Sequence, residues 1–309
     1  MNKTITTIIP FYNSGDSLAR MLDSILAGTV LPTEILLIDD GSTDGSEKLA
    51  QEYANQNPII KYIRQEHLGV SAARNHGIES ASCAWISFMD ADDFIESDMY
   101  EQMLASINDE NIAGCVCGYF TEKDGVTTPY IGHYAESITA SELLKSMFTD
   151  DNIRGFLFTR LFNASLVKKY HFKEGITMCE DMLYQSTLLS ANLSEKFIYV
   201  NKPLYHYVQN SSSATSSINL FNQTTFKYKP AFDLIRNLVP ERYVDDSYSS
   251  IMEYSMYCLL KEYKKGNTAT IPQIRMLQNE LKNVHPTSSS KRRFAYIYAP
   301  LLYSRFMKS

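Results

Sequence analysis

The sequence predicts an α/β protein: a mostly parallel sheet flanked by helices, followed by a C-terminal helical extension. Three observations carry this. In the first hundred residues, short apolar runs alternate with stretches whose apolar residues recur at helical spacing. The runs are apolar on both faces, as strands are when helices cover both sides of a sheet. Polar clusters follow the first, second and fourth runs, outside the carboxyl ends of the strands, where such sheets bind ligands.

The elements follow in order. Residues 4–9 form a β-branched run that ends at Pro10. Residues 16–27 place Leu18, Met21, Leu22, Ile25 and Leu26 on one helical face. Residues 34–38 are a second strand, closed by Asp39-Asp40-Gly41, and Asp44 stands at an N-cap position before a helix over 48–55. Residues 59–63 are a third strand, 71–81 an Ala-rich helix, and 84–89 a fourth strand running into Asp90-Ala91-Asp92-Asp93. Beyond Ile112 the pattern loosens. Residues 113–120 read as a strand, 126–131 as a hairpin arm, 180–191 as a helix, and 197–200 and 204–208 as extended. Residues 210–219 form a Ser-rich loop, and the rest is mostly helical, 251–263 most clearly. The expected division is a catalytic domain over 1–217, with halves of about 1–110 and 111–217, and a helical region over 218–309.

Composition excludes several classes. A net charge of -6 does not suit a nucleic-acid binder. The five cysteines are odd in number and irregularly spaced, with no paired zinc motif, which suits a reducing compartment. No run reaches the ~18 apolar residues of a membrane span, so the expected location is cytoplasmic. The 21 Tyr and 15 Phe serve a core, or supply ring platforms for sugars and bases. Near the end, Lys291-Arg292-Arg293 precedes Phe294, Tyr296, Ile297, Tyr298, Leu301, Leu302, Tyr303 and Phe306. Bases interleaved with aromatics suit an anionic membrane surface, which would make the protein peripheral at the inner face of the plasma membrane. A helix packed on the core with a basic outer face is the alternative.

The chemistry concentrates in the acidic turns. Asp90-Ala91-Asp92-Asp93 sets three carboxylates within four residues, which repel one another unless a cation intervenes. Asp90 and Asp92 face one side of an extended segment, and hard oxygen ligands suit Mn²⁺ or Mg²⁺. Asp39-Asp40-Gly41-Ser42-Thr43-Asp44 is either a capped strand-to-helix turn or a set of acceptors for a base N–H or ribose hydroxyl. In Gly69-Val70-Ser71-Ala72-Ala73-Arg74-Asn75 the small residues permit close packing, and Arg74 suits a diphosphate or the acidic loops.

These motifs, with Ile8-Ile9-Pro10-Phe11-Tyr12-Asn13 ahead of them, occur in an order and spacing that resembles the nucleotide-sugar half of bacterial glycosyltransferase family 2. The resemblance implies the Rossmann-like GT-A fold and transfer of a sugar, with inversion, from a nucleotide diphosphate such as UDP. It implies that Pro10, Phe11 and Asn13 line the nucleotide pocket and that Asp40 contacts the base. Arg74 and Asp90 would help hold the donor, Asp39, Asn75 and Ala91 would belong to the same donor site, and Asp92 would ligate the metal. Met178-Cys179-Glu180-Asp181 resembles the family's Glu-Asp motif, although the family often has Gly where Cys179 stands. By that likeness Asp181 is the catalytic base and Glu180 orients it or the acceptor. Leu204-Tyr205-His206-Tyr207-Val208 also resembles the family, with His206 either a third metal ligand or a packing residue. The Ser-rich loop at 210–219 would cover the donor. The acceptor would be a saccharide, lipid-linked saccharide or glycoprotein, in capsule or exopolysaccharide synthesis. A binding module without activity would lack the base or a metal acid. A nucleotidyltransferase would carry a Gly- and Lys/Arg-rich loop where this chain has Asn13-Ser14-Gly15-Asp16.

Overall fold

The first apolar run becomes β1 (Ile5–Phe11), buried along its whole length. The helix after it, α1 (Gly15–Leu26), buries Leu18, Met21, Leu22 and Ile25, the stripe visible in the sequence. β2 (Glu34–Asp39) is also wholly buried. α2 (Ser46–Gln56) begins one residue later than an Asp44 cap would require. Gly45 at φ 101° is its N-cap, and the Asp44 carboxylate still accepts from Ser46 N at 3.0 Å. β3 (Ile60–Arg64), α3 (Val70–Ser80) and β4 (Trp85–Phe88) complete the first half. The computed structural model describes residues 2–209, 220–222, 225–287 and 290–307.

β1, β2 and β3 pair in parallel, and β4 lies parallel on the other side of β1. α3 approaches the sheet closely at Gly77, where an added Cβ would stand 2.4 Å from Ile8 Cγ2. The small residues of this helix thus set the spacing between two layers.

The second half extends the sheet. β5 (Phe94–Ile95), α4 (Met99–Ser106), β6 (Ile112–Lys123) and β7 (Val126–Tyr130) are followed by β8 (Ser137–Thr139) and α5 (Ala140–Thr149). Then come β9 (Arg160–Asn163), α6 (Ala164–Val167), α7 (Glu180–Ser190) and β10 (Lys196–Val208). The main order is β3-β2-β1-β4-β9-β6-β10-β5, with β7 on β6 and β8 on β10. β9 runs antiparallel to both β4 and β6, so the sheet is mixed though mostly parallel in its first half. The two extended stretches at 197–200 and 204–208 are one strand, β10, whose register on β6 shifts around Pro203. Proline donates no ladder hydrogen bond, which accounts for an irregularity at that point.

Contacts divide the chain into two compact units, Met1–Gly175 with Glu180–Asn210, and Ile176–Cys179 with Ser211–Ser309. The expected boundary at residue 217 and the Ser-rich loop lie outside the described residues. The second unit holds a short hairpin, β11 (Phe221–Asn222) and β12 (Thr225–Phe226), then α8 (Lys229–Ile235), α9 (Glu241–Lys264) and α10 (Ile271–Lys282). α11 (Lys291–Tyr298) and α12 (Pro300–Tyr303) end it. Arg293 anchors α11 inward: it is 7% exposed and donates to the carbonyls of Leu281 and Val284, both at 2.6 Å. Tyr296 is buried beside it. No helix among the described residues is long and apolar enough to cross a membrane.

Candidate active site

Strand β4 delivers the acidic run at its carboxyl end. Asp93 is fully buried and its two oxygens accept from Val208 N and from the Tyr205 hydroxyl, both at 2.7 Å. The same hydroxyl accepts from Asp90 N at 3.2 Å. β10 therefore holds the loop from beneath, and Asp93 is a structural acid. Burial, then the charges of Asp90 and Asp92, hold its pKa well above the ordinary carboxylate range. Asp90 and Asp92 stay partly exposed. Burial and the Asp90 charge raise the Asp92 carboxyl to about 6. Ala91 is buried between them, so its side chain offers a ligand little surface.

Arg74 comes to this loop from α3. It is 5% exposed and donates to Asp90 Oδ1 at 3.1 Å and to Glu180 Oε1 at 2.6 Å. Burial works against its charge, but Glu180, Asp90 and Asp181 outweigh it, so its pKa lies above the usual arginine value. Its Nε is buried with no hydrogen-bond partner among the described residues. Arg74 thus joins the acids after β4 to the first turn of α7, two motifs about ninety residues apart in sequence. Asp181 stands partly exposed in that turn, with Glu180 on its own helix and Arg74 and Asp90 acting across from it. Burial first, then the Glu180 charge, raises its carboxyl to about 7. An acid titrating there suits a general base at neutral pH.

Cys179 explains a sequence oddity. Its φ is 59°, the left-handed region that favours glycine, at the place where the resemblance expects Gly. Left-handed geometry costs an ordinary residue roughly 1–2 kcal/mol, and glycine's extra unfolded-state freedom about 0.5–1 kcal/mol. The two nearly offset, so Cys179→Gly is expected to keep stability within about 1 kcal/mol and retain turnover. Cys179→Val, with its branched Cβ, is expected to lose roughly 2 kcal/mol in urea unfolding. Equal stability of the two variants would contradict a backbone role for this position.

Several sequence expectations meet a different environment. Asp39 is fully buried, accepting from Ser42 N at 2.7 Å and from the Tyr62 hydroxyl at 2.7 Å. Asp40 is 3% exposed and accepts from Leu68 N and Gly69 N, each at 2.9 Å, from Gln65 Nε2 at 2.8 Å, and lies 2.9 Å from His67 Nδ1. In this arrangement both acids tie loops together rather than face a base. Pro10 and Phe11 are buried in β1, which leaves them little exposed surface for a nucleotide in this arrangement. Asn75 spends its amide on the backbone of Phe172, at 2.9 and 2.7 Å, and acts as a strut in this arrangement. Asn13 is exposed in a left-handed turn, accepting from Thr43 N at 2.8 Å. Beside it lies a feature that residue patterns missed: Tyr12, 45% exposed, stacks on His67 with centroids 4.1 Å apart. Tyr12 lies inside the first motif, but nothing in the residue pattern marks its ring or its partner His67.

His206 lies between the rings of Phe94 and Phe120, with centroids at 4.1 and 4.5 Å. Its Nδ1 is 2.7 Å from Glu122 Oε1 and its Nε2 is 2.9 Å from Glu96 Oε1. Both nitrogens face carboxylates within the fold, so the packing alternative fits this geometry. No group of three or more His, Cys, Asp or Glu among the described residues is arranged to hold a metal ion. The acids do fit an ion held by one or two carboxylates, with phosphate oxygens and waters completing its shell. The observation behind that fit is the pair of partly exposed carboxylates, Asp90 and Asp92, in one turn: burial first and the Asp90 charge second raise the Asp92 carboxyl, and a cation would offset both.

With this geometry in view, the comparisons are decisive for family. The model of Glycosyl transferase family 2 matches residues 6–172, more than half of the chain. The chain belongs to glycosyltransferase family 2. It is 29% identical to the putative glycosyltransferase EpsH of Bacillus subtilis over 91% of this chain and 81% of that protein. It is 33% identical to the glycosyltransferase GlyA of Streptococcus pneumoniae, over 66% of this chain and 30% of GlyA. Its fold matches crystallised S. aureus TarS 1–349, solved in complex with UDP-GlcNAc, at TM-score 0.64 and 18% identity, covering 98% of this chain and 87% of that one. The family 2 chain is therefore a glycosyltransferase with the GT-A type of sheet, and Arg74, Asp90 and Asp92 lie within the matched segment.

Proposed function

We propose that this glycosyltransferase moves a sugar, with inversion, from a UDP-sugar to a saccharide hydroxyl, with Asp181 as base. The carrying observation is the Arg74 bridge, which sets Asp90 and Glu180 on one guanidinium and so brings the donor-side acids beside the base. Tyr12 and His67 offer a stacked platform for the nucleobase, next to Asn13. Asp92, with Asp90, would hold Mn²⁺ or Mg²⁺ against the diphosphate. That ion, when bound, would supply positive charge to the leaving group. The Asp181 carboxylate takes the acceptor hydroxyl proton as its oxygen attacks the anomeric carbon from the face opposite the diphosphate. The UDP choice draws on TarS, whose crystal structures carry UDP-GlcNAc and UDP. A panel of UDP-glucose, UDP-galactose and their N-acetyl forms with Mn²⁺ tests it. At least one donor is expected to release UDP, and chelation is expected to abolish release. Silence of every donor, with no UDP binding by calorimetry, would sink the assignment.

The acceptor in this proposal is a lipid-linked or growing saccharide of a surface polysaccharide, met at the inner face of the plasma membrane. Support comes from the outer side of the C-terminal helices. Phe294, Tyr298, Leu302 and Phe306 recur every four residues and are 71%, 65%, 55% and 77% exposed. Exposed Lys291, Arg292 and Arg305 flank them. An anionic lipid surface answers both features. Pairing this face with its own copy would bring like charges together. The protein is expected to sediment with phosphatidylglycerol vesicles and not with phosphatidylcholine alone. Replacing the four apolar residues by Ala should lower that binding about tenfold or more. Concentration-dependent dimerisation through the stripe, without vesicle binding, would overturn docking.

A further inference from the structure

Arg160, the first residue of β9, is fully buried, and among the described residues its hydrogen-bond acceptors are neutral. Its Nε donates to Gln185 Oε1 at 3.1 Å, its Nη2 to Arg154 O at 2.7 Å, and its Nη1 to the Thr159 hydroxyl. A buried guanidinium without a carboxylate against it costs folding energy, and apolar replacement of buried charge is often neutral or stabilising. Stability alone therefore gives no reason for a charge here.

Its partners point to a task. Gln185 is fully buried on α7, one turn after Asp181. While its oxygen takes the Arg160 Nε–H, its Nε2 donates to Gly155 O at 2.7 Å and to Asp181 O at 3.3 Å. Arg160 and Gln185 thus hold the consecutive carbonyls of Arg154 and Gly155. Arg154 sits at φ 43°, and a Cβ on Gly155 would stand 3.1 Å from the Met182 side chain. The loop is pressed against the first turn of α7 and pinned there through these two side chains.

We propose that Arg160 is a positioning residue for the Glu180-Asp181 turn: through Gln185 it locks residues 154–155 onto α7, and its buried charge favours the Asp181 carboxylate. The electrostatics agree. Burial pulls the Arg160 guanidinium down to about 10, and Cys117, Tyr199 and then the Asp181 carboxylate work in the other direction. The other charged groups facing Asp181 are Glu180 on its own helix, Arg74 from α3 and Asp90 after β4. The role assigned to the turn rests on the proposed function, whereas the coupling between Arg160 and Asp181 does not.

The test reads the Asp181 carboxyl directly, by ¹³C NMR titration of the full chain, with its signal assigned from Asp181→Asn. Arg160→Met and Arg160→Gln remove the charge, and Arg160→Lys keeps it. The neutral variants are expected to move the Asp181 midpoint upward by about half to one pH unit. The lysine variant is expected to stay near wild type. Where Arg160→Met fails to fold, the Gln and Lys pair decides. An unmoved midpoint in the neutral variants, or an equal shift in all three, would overturn the proposal. If Asp181→Asn retains turnover, the base assignment falls, and the titration still reports on Arg160.

Discussion

Asp181→Asn is expected to reduce transfer by roughly 10²–10⁴-fold while leaving UDP affinity within about twofold. The amide keeps the shape of the carboxyl but cannot accept the acceptor proton. In the wild type the carboxyl is raised from 3.8 to about 7, burial being the largest cause and the Glu180 charge the next. Only its ionised form serves as base, so kcat/KM should rise with pH through about 7 and then level. The stability consequence has the opposite sense. An acid whose folded pKa exceeds its unfolded value is harder to ionise in the fold. Wild-type stability should therefore fall as pH climbs from about 4 towards 7, with the full loss above that. The asparagine variant escapes this loss and should gain on wild type in urea unfolding at pH 8 relative to pH 4. Near-normal turnover in the variant would remove Asp181 from the chemistry.

Arg74→Met should be the most damaging change to the site's architecture. It leaves Glu180 and Asp90 without the guanidinium that lies 2.6 and 3.1 Å from them. Breaking a buried pair by removing one partner costs about 3–5 kcal/mol. Asp90 is partly solvated, its side chain 37% exposed, which places the effect near the lower end. A loss of about 3 kcal/mol corresponds to a fall of roughly 6–12 °C in Tm for a chain of this size. Turnover should fall with it, because the donor-side acids and the Asp181 turn lose their common tie. Arg74→Lys should recover part of the stability, since one ammonium cannot serve both acids in the guanidinium's forked geometry. An unchanged Tm in Arg74→Met would show that the bridge carries no stabilising load.

The parallel half of the sheet was legible because β1, β2 and β4 are continuous apolar runs, and only a doubly covered sheet asks for that. β9 was not, because Arg160-Leu161-Phe162-Asn163 has neither alternation nor a sustained apolar run. α5 does carry a local signal in the sequence. Thr139 and Glu142 form a capping box ahead of Leu143, Leu144, Met147 and Phe148, all buried. In the site, the acids after β4 and the Glu-Asp pair were readable as local charge clusters. The duties of Asp39, Asp40 and Asn75 were not, because no local pattern shows that Asp39 turns back to the amide at 42 or that Asp40 and Asn75 reach backbone groups of loops far along the chain, at 68, 69 and 172. Sequence patterns expose where polar residues gather, and hydrogen-bond geometry decides whether they face a ligand or the protein itself.

The hydroxyl of Tyr205 has a consequence for affinity. It receives Asp90 N–H and gives its proton to Asp93, while the ring stacks on Phe158 with centroids 4.1 Å apart. The turn at residues 90–93, proposed above to meet the donor, is thus clamped by a rigid aromatic side chain before any substrate arrives. A turn already fixed has little disorder to surrender on binding, so donors should differ in affinity mainly through the contacts each sugar makes. Tyr205→Phe would hand that ordering cost back to the ligand. Its signature in calorimetry would be a less favourable binding entropy for UDP, common to every donor rather than particular to one.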